Sequence, residues 1–444
     1  IDLNKTDIPI ILAAPTGRAA RRMNELTGLP SATIHRHLGL NGDNDYQAMD
    51  DYLDCDLIII DEFSMVDTWL ANQLFSVIAS TTQVIIVGDS DQLPSVGPGQ
   101  VLSDLLKIDT LPQLALTKIF RQSEDSTIVT LANQMRQGQL PADFTQKKPD
   151  RSYFEASATY IPNMIAKIVQ SAVKSGINPQ EIQILAPMYR GAAGINRLNT
   201  IIQDLLNPLD NQQDFAFGEM SFRKGDKILH LINDAELNVF NGDIGYITDL
   251  IPAKYTESKQ DELYLSFDGN EVIYPRNEWH KITLAYAMSI HKSQGSEFQV
   301  VILPITHQSR RLLQRNLIYT AITRSKSKLV MLGELAAFDY AIKNEGDKRK
   351  TYLVQRFSND NLAQETAEKQ VETPQETATP ENQNYQNVAV PADTAVEEQI
   401  QLTLDIDNQV EQETQAYRLT EENIPFIDPM IGLTTADIER FFKS

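Results

Sequence analysis

The sequence predicts an α/β protein built on buried parallel sheets, with a small all-β module inserted late and a disordered acidic tail. Three observations carry this. First, short β-branched runs each end in a polar or glycine-bearing turn. They are IPIILAAPTG from Ile8, DLIIIDEFS from Asp56, TQVIIVGDSDQLPS from Thr82, IQILAPMYRG from Ile182, FQVVILPI from Phe298 and SKLVMLGE from Ser327. Four to six apolar residues without alternation suit strands covered on both faces, and so a parallel sheet. Second, the stretch from about Phe222 to Lys281 alternates in short runs joined by Asn-Gly and Asp-Gly pairs, the hairpin signal. Third, the texture changes after about Asn344, where AQETAEKQVETPQETATPENQNYQNVAVPADTAVEEQ from Ala363 is rich in Glu, Gln, Thr and Pro with a single aromatic, Tyr385. Such a segment buries too little apolar surface to offset chain entropy.

The elements between the runs follow in order. RAARRMNELTG reads as a helix with Gly28 as its C-cap, and SMVDTWLANQLFSVIAS as a second helix. KITLAYAMSIHKSQG resumes the α/β style after the β module, and the closing IPFIDPMIGLTTADIERFFKS is expected to form a short helix from Thr435. The expected division is a first α/β domain over 1–145 and a second over 146–221 and 283–343, split by the β insertion at 222–282. A linker over 344–427 and a terminal element over 428–444 complete it.

Composition sets bounds on function. At 444 residues, 42% apolar and 22% charged, the chain holds real cores and more than one domain. A single cysteine, Cys55, excludes an internal disulfide framework and fits a reducing compartment. No long apolar run and no leader pattern at IDLNKTDIPI is present, so a cytoplasmic protein without a membrane is expected. A net charge of −21 argues at first against a nucleic-acid partner. Residues 351–444, however, carry 18 acids and 5 bases, leaving 42 acids and 34 bases in the body. A body so balanced can hold a local basic groove, which is what a phosphate backbone requires.

Chemistry-bearing residues cluster at the ends of the apolar runs, where α/β sheets gather their ligands. Asp61-Glu62 closes one run: the first carboxylate can hold Mg²⁺ and the second can orient and deprotonate a water. Taken alone, such a pair reads as a solvated turn. Its place after a four-residue apolar strand, with VGDSDQLPSVGPGQ after the next, favours chemistry. In that second turn Gln92 can bond a terminal phosphate or the attacking water. Arg121, after an apolar element, and Arg324, after a helical run, suit charge stabilisation in phosphoryl transfer, although a lone arginine is usually a surface residue. AMSIHKSQGSEFQVVIL supplies hydroxyls, a lysine and a glycine fit to grip phosphate and sugar oxygens. Taken alone, His291 there reads better as a satisfied loop histidine. No His/Cys group has metal-ligand spacing, and no Ser-His-Asp signature is present.

In this order APTGRAARRM, ATIHRHLG, IIIDEFSMVD, VGDSDQLPSVGPG, IFRQ, APMYRGAAGINRLN, SIHKSQGSEF and YTAITRSK resemble superfamily 1 helicases. In detail they resemble the RecD-like branch of bacterial 5′-to-3′ DNA helicases, over roughly Ile8 to Phe338. The resemblance implies ATP in a cleft between two RecA-like (P-loop NTPase) domains and single-stranded DNA across their tops. It implies Asp61 on Mg²⁺, Glu62 as catalytic base, Gln92 sensing the γ-phosphate, and Arg121 and Arg324 reaching it across the cleft. Gly295 and Glu297 match the motif that links nucleotide state to DNA grip and are counted with the ATP site. Pro15, Thr16 and Gly17 match a DNA-contacting motif, as do His35, Arg190 and Ser293, with His291 in the same loop. The β module resembles the SH3-like insertion of these enzymes.

The implied function is an ATP-dependent DNA helicase translocating 5′-to-3′ on single-stranded DNA in repair or recombination. Its partners would be single strands, duplex junctions and, through the tail, repair or single-strand-binding proteins. The alternative is a helicase-like scaffold that holds single strands without ATP chemistry. Asp61, Glu62, Gln92, Arg121 and Arg324 together favour the motor, because a scaffold needs none of them. The family's phosphate loop, G-x-x-x-x-G-K-[ST], does not occur in these residues. The chain is therefore expected to be the C-terminal part of a longer protein, and inactive by itself.

Overall fold

The computed structural model describes residues 8–40, 52–116, 126–210, 212–234, 236–346 and 349–357. The chain divides into two units, Ile1–Val354 and Gln355–Ser444, and every element below belongs to the first. Arg121, the expected terminal element and most of the expected linker lie outside the described residues. The linker's start departs from expectation: Arg349 bonds the loop over Ser95–Gly99 and Leu353 packs on the core of the first lobe.

The first lobe comprises β1 (Ile10–Ala14), α1 (Gly17–Thr27), β2 (Ser31–Thr33), α2 (Ile34–His37), β3 (Leu57–Ile60), α3 (Thr68–Ser76), β4 (Gln83–Ile86) and α4 (Val101–Leu105). Its sheet is parallel throughout, in the order β2-β1-β3-β4. Helix α1 starts on Thr16, whose hydroxyl caps Ala19 N, and ends at Gly28 in the left-handed conformation, as its sequence predicts. Helix α3 is capped by Asp67, which accepts from Leu70 N at 2.7 Å. One expectation fails here. Although β4 belongs to an unbroken apolar run, Val84 and Ile85 are each 37% exposed and Val87 42%. The strand lies at the sheet edge, and among the described residues nothing pairs with its outer side.

The second lobe follows with α5 (Thr127–Arg136), β5 (Arg151–Glu155), α6 (Ile161–Lys174), β6 (Ile182–Ala186) and α7 (Ile195–Leu206). The chain then leaves it through the hairpin β7 (Asp214–Phe217) and β8 (Met220–Arg223). Next come β9 (Lys227–His230), β10 (Ile244–Ile251), β11 (Glu262–Phe267), β12 (Asn270–Pro275) and β13 (Ile282–Leu284). It returns with β14 (Ala287–Ser289), β15 (Phe298–Ile305), α8 (Arg315–Thr323), β16 (Ser325–Gly333) and α9 (Leu335–Lys343). The lobe's sheet is again parallel, in the order β14-β6-β15-β16-β5. Central β6 is buried at every residue and β15 at all but Gln299, which is what their unalternating sequences predict.

The β module is an antiparallel sheet in the order β12-β11-β10-β9-β13. Between β11 and β12, Asp268 and Gly269 both take positive φ, 49° and 85°, the two-residue turn whose twist matches the flanking strands. The Asn241-Gly242 pair, by contrast, makes no hairpin turn. The connection from β9 to β10 runs over 231–243 and closes on itself at an Asp234–Val239 bridge, so Asn-Gly merely leads into β10. Trp279 is fully buried, stacked on Phe215 at 5.6 Å, and its indole N–H donates to Tyr274 O. The module's apolar core is continuous with that of α6, α7 and β6.

Lys227 opens β9 and is buried, its Nζ donating to Gln180 O and Ile182 O. Burial pushes its pKa down to about 7, Arg18 adds repulsion and Glu181 partly opposes. Below about pH 7 the amine is charged in folded and unfolded chains alike, and folding bears the full cost of burying that charge. Between about pH 7 and the ordinary value of 10.5 the folded chain holds fewer protons, so this cost fades as pH rises. The stability advantage of Lys227→Met over the native residue should therefore shrink, by on the order of 4 kcal/mol, as pH goes from about 6.5 to 10. Urea unfolding across that range checks this, and a pH-independent difference would refute it.

Candidate nucleotide and strand site

In the first lobe, β1, β3 and β4 are parallel neighbours, so their carboxyl ends present their turns along one edge. The turn after β1 holds Pro15, Thr16 and Gly17, the turn after β3 Asp61 and Glu62, and that after β4 Gly88, Asp89 and Gln92. Asp61 Oδ1 accepts from Glu62 N at 2.8 Å. Glu62 takes a left-handed backbone, φ 52°, which strains a residue with a Cβ and directs the chain sharply into a 3₁₀ turn over Phe63–Met65. Gly88 packs closely: a Cβ there would lie 2.8 Å from Leu102 Cδ2 and 3.2 Å from Phe63 N and Ser64 N, so these neighbours would have to shift.

The second lobe meets this edge through α8 and the loop before β15. Arg324, at the end of α8, is 1% exposed, and its Nη2 donates to Gln92 Oε1 at 3.0 Å across the seam. The same guanidinium donates to Thr320 O and Ser296 O, which fix its plane. Next to Gln92, Leu93 N donates to Thr320 Oγ1 at 2.8 Å, and Leu93 O accepts from Gln294 Nε2 at 3.0 Å. Tyr319 donates to Asp89 at 2.9 Å; burial and that carboxylate push its phenol pKa upward, so it stays a donor. Arg136 of α5 pairs with Asp91 at 2.6 Å. A cavity of about 290 Å³ at this seam is lined by Ser90, Asp91, Arg136, Arg315, Asn316 and Tyr319. Another, of about 480 Å³, lies at the β5–α6 turn and contains none of the expected site residues.

A second contact area joins α1 to the β module and the second lobe. Arg21 bonds Asp243 and Asp268, each at 2.7 Å, and Arg22 pairs with Glu297 at 2.9 Å. Gly17 packs so tightly that a Cβ would fall 2.5 Å from the Phe240 ring. Gly295, at φ 72°, has room for a Cβ only 3.3 Å from Thr16 Oγ1. The loop over 291–297 thus touches Leu93 through Gln294 and Thr16 through Gly295. One loop reaches the turn after β4 and comes close to the turn after β1.

The expected residues are therefore partly gathered. Gln92 and Arg324 meet at the seam of the lobes, with Asp61 and Glu62 at the neighbouring strand end; Thr16, Gly17, Gly295 and Glu297 border the α1 contact, and Pro15 precedes Thr16 in the same turn. Arg190 and His291 are exposed. His35 is half-buried, and burial holds its pKa below the usual value against the pull of Asp67. It presents a neutral ring. Ser293 does not present its hydroxyl to a ligand: it is fully buried, with Oγ donating to Ile290 O at 2.7 Å. Sequence reasoning missed Gln294, Tyr319, Thr320 and Asp89 as bridging groups. The four-residue spacing of Thr320 and Arg324 on one helix face was an available signal.

Among the described residues no group of three His, Cys, Asp or Glu side chains can hold a metal ion. That suits Mg²⁺ carried on phosphate oxygens, which takes one or two carboxylates from the protein rather than a full cage. Asp61, at the end of β3, is a carboxylate that could supply such a ligand. Bound there, the ion would neutralise developing phosphate charge.

Two parallel-sheet lobes meeting at such a seam, the second interrupted by a β module, are a pair of RecA-like domains. Residues 3–156 match the AAA domain family, 198–267 the SH3 domain of ATP-dependent RecD-like DNA helicases, and 284–332 the C-terminal domain of UvrD-like helicases. The ATP-dependent RecD2 DNA helicase of Deinococcus radiodurans is 32% identical over 346 residues, covering 78% of this chain and 46% of that protein. The RecBCD enzyme subunit RecD of Mycolicibacterium smegmatis is 28% identical over 368 residues, covering 76% of this chain and 64% of that subunit. The chain belongs to the RecD-like helicase family. It spans about half to two thirds of the length of these relatives. A Bacteroides Pif1 helicase solved with ADP-AlF3 and single-stranded DNA is similar at 19% identity and a TM-score of 0.43, over 81% of this chain and 89% of that one. Among the described residues no helix is long and apolar enough to cross a membrane.

Proposed function

We propose that the protein of which this chain is part is an ATP-dependent DNA helicase that moves 5′-to-3′ along single-stranded DNA. The observation that carries this reading is the Gln92–Arg324 hydrogen bond across the seam, with Arg324 buried behind it. A buried guanidinium held against the strand-end turn of the other lobe is poised to feel a phosphate arrive and leave. Glu62, one strand away, orients and deprotonates the attacking water, and Arg324 stabilises charge as the phosphoryl group departs. Movement of α8 relative to the Gln92 turn is relayed by Gln294 and Gly295 to Thr16, where the strand is gripped. Contacts of this kind go mostly to the nucleic-acid backbone, so binding should weaken steeply with salt and show little sequence preference.

The test is DNA-stimulated ATP hydrolysis and strand displacement by the full-length gene product, on duplexes with a 5′ or a 3′ single-stranded arm. Unwinding from the 5′ arm is the expected result. Strand binding without any turnover would replace the motor with an ATP-independent scaffold.

A further inference from the structure

The second lobe ends by reaching back to the first. After α9, residues 344–346 still lie on the second lobe: Asn344 O accepts from Arg315 N at 2.7 Å, and Gly346 abuts Gln314. Three residues later Arg349 sits on the first lobe. Its Nη1 donates to Gly97 O at 2.7 Å, Gly99 O at 2.6 Å and Ser95 Oγ at 3.3 Å, and its Nη2 to Ser95 O at 2.7 Å. Thr351 bonds the buried carboxylate of Asp104 on α4, and Leu353 packs on the first-lobe core.

The segment so held, Ser95–Gly99, is the loop between Gln92 and α4. It belongs to no strand or helix, so these three carbonyls have no ladder partner; Gly97 O also accepts from Ser95 Oγ at 3.1 Å, and the planar, multiply donating guanidinium engages all three together. From the other side the loop is pressed on α3: a Cβ at Gly97 or Gly99 would fall 1.9 Å from Asp67 or Thr68. It begins two residues after Leu93, whose N–H and carbonyl are both engaged by the second lobe.

We propose that Arg349 is a positioning residue for the reaction: residues 349–353 strap the end of the second lobe onto the first and hold Gln92 where Arg324 meets it. This rests on the proposed ATP-driven function. A guanidinium that releases the loop lets Gln92 drift from its partner, and displacements near 1 Å at such a position cost up to about 10²-fold in rate.

The experiment compares Arg349→Ala, Gln92→Ala and the double variant in the full-length protein. Arg349→Ala should lower kcat for DNA-stimulated ATP hydrolysis by about 10-fold, with KM for ATP and single-strand affinity changed less than about two-fold. In the Gln92→Ala background it should cause no further loss, because its effect runs through Gln92. Arg349→Lys keeps the charge without the fork and should share the defect; it serves where the alanine variant does not fold. Native kcat in both Arg349 variants overturns the proposal. So does a loss that multiplies fully with that of Gln92→Ala, the mark of a merely structural role. A native protein without turnover instead removes the proposed function, and the strap's role with it.

Discussion

Glu62→Gln in the full-length protein should cut DNA-stimulated ATP hydrolysis by about 10²–10⁴-fold while leaving nucleotide and strand binding in place. The amide has the shape of the carboxylate but cannot take a proton. Glu62 N donates to Asp61 Oδ1 through the backbone, and the left-handed turn at φ 52° does not depend on the side-chain charge. The substitution therefore removes the base while keeping the side chain's shape and the main-chain bond to Asp61. Turnover and binding measured on the same preparation separate the two effects. Hydrolysis by Glu62→Gln within ten-fold of the native rate would mean that another group activates the water.

Arg324→Ala is expected to have the larger effect, about 10³–10⁵-fold on turnover, the range for an arginine aimed at a transferring phosphoryl group. It also leaves Thr320 O, Ser296 O and Gln92 Oε1 without their present donor in a buried place, so a stability cost of about 2–4 kcal/mol should accompany it. Arg324→Lys distinguishes chemistry from packing. Lysine keeps the charge and most of the volume but lacks the planar fork that spans those three oxygens. It should recover much of the stability and little of the rate. A lysine variant that turns over at the native rate would show that the planar fork of Arg324 plays no part in the chemistry.

How much of this was legible depends on how far apart in the chain the partners lie. The strand-end positions of Asp61-Glu62 and Gln92 were readable because each follows a run of apolar residues, and such a run predicts a strand. Strands β6 and β15 were readable for the same reason, and the Asp268-Gly269 turn because its two positive φ values need those residues. The exposure of β4 was not readable, since an apolar run does not say which strand stands at an edge. Nor was the burial of Ser293, whose short side chain turns back to a carbonyl three residues earlier. The Asn241-Gly242 pair misled because turn preference is local, whereas the pairing of β9 with β10 is not.

By itself the sequence determined the alternation of elements, the family to which the chain belongs, and the residues standing at the strand ends, because all three rest on local periodicity and short motifs. Tertiary structure alone decided which of those residues meet. Arg324 finds Gln92 across 232 residues of chain, and Arg349 finds Ser95 across 254. Such contacts follow from how two sheets pack and where the chain crosses between them. No spacing along the sequence encodes that distance.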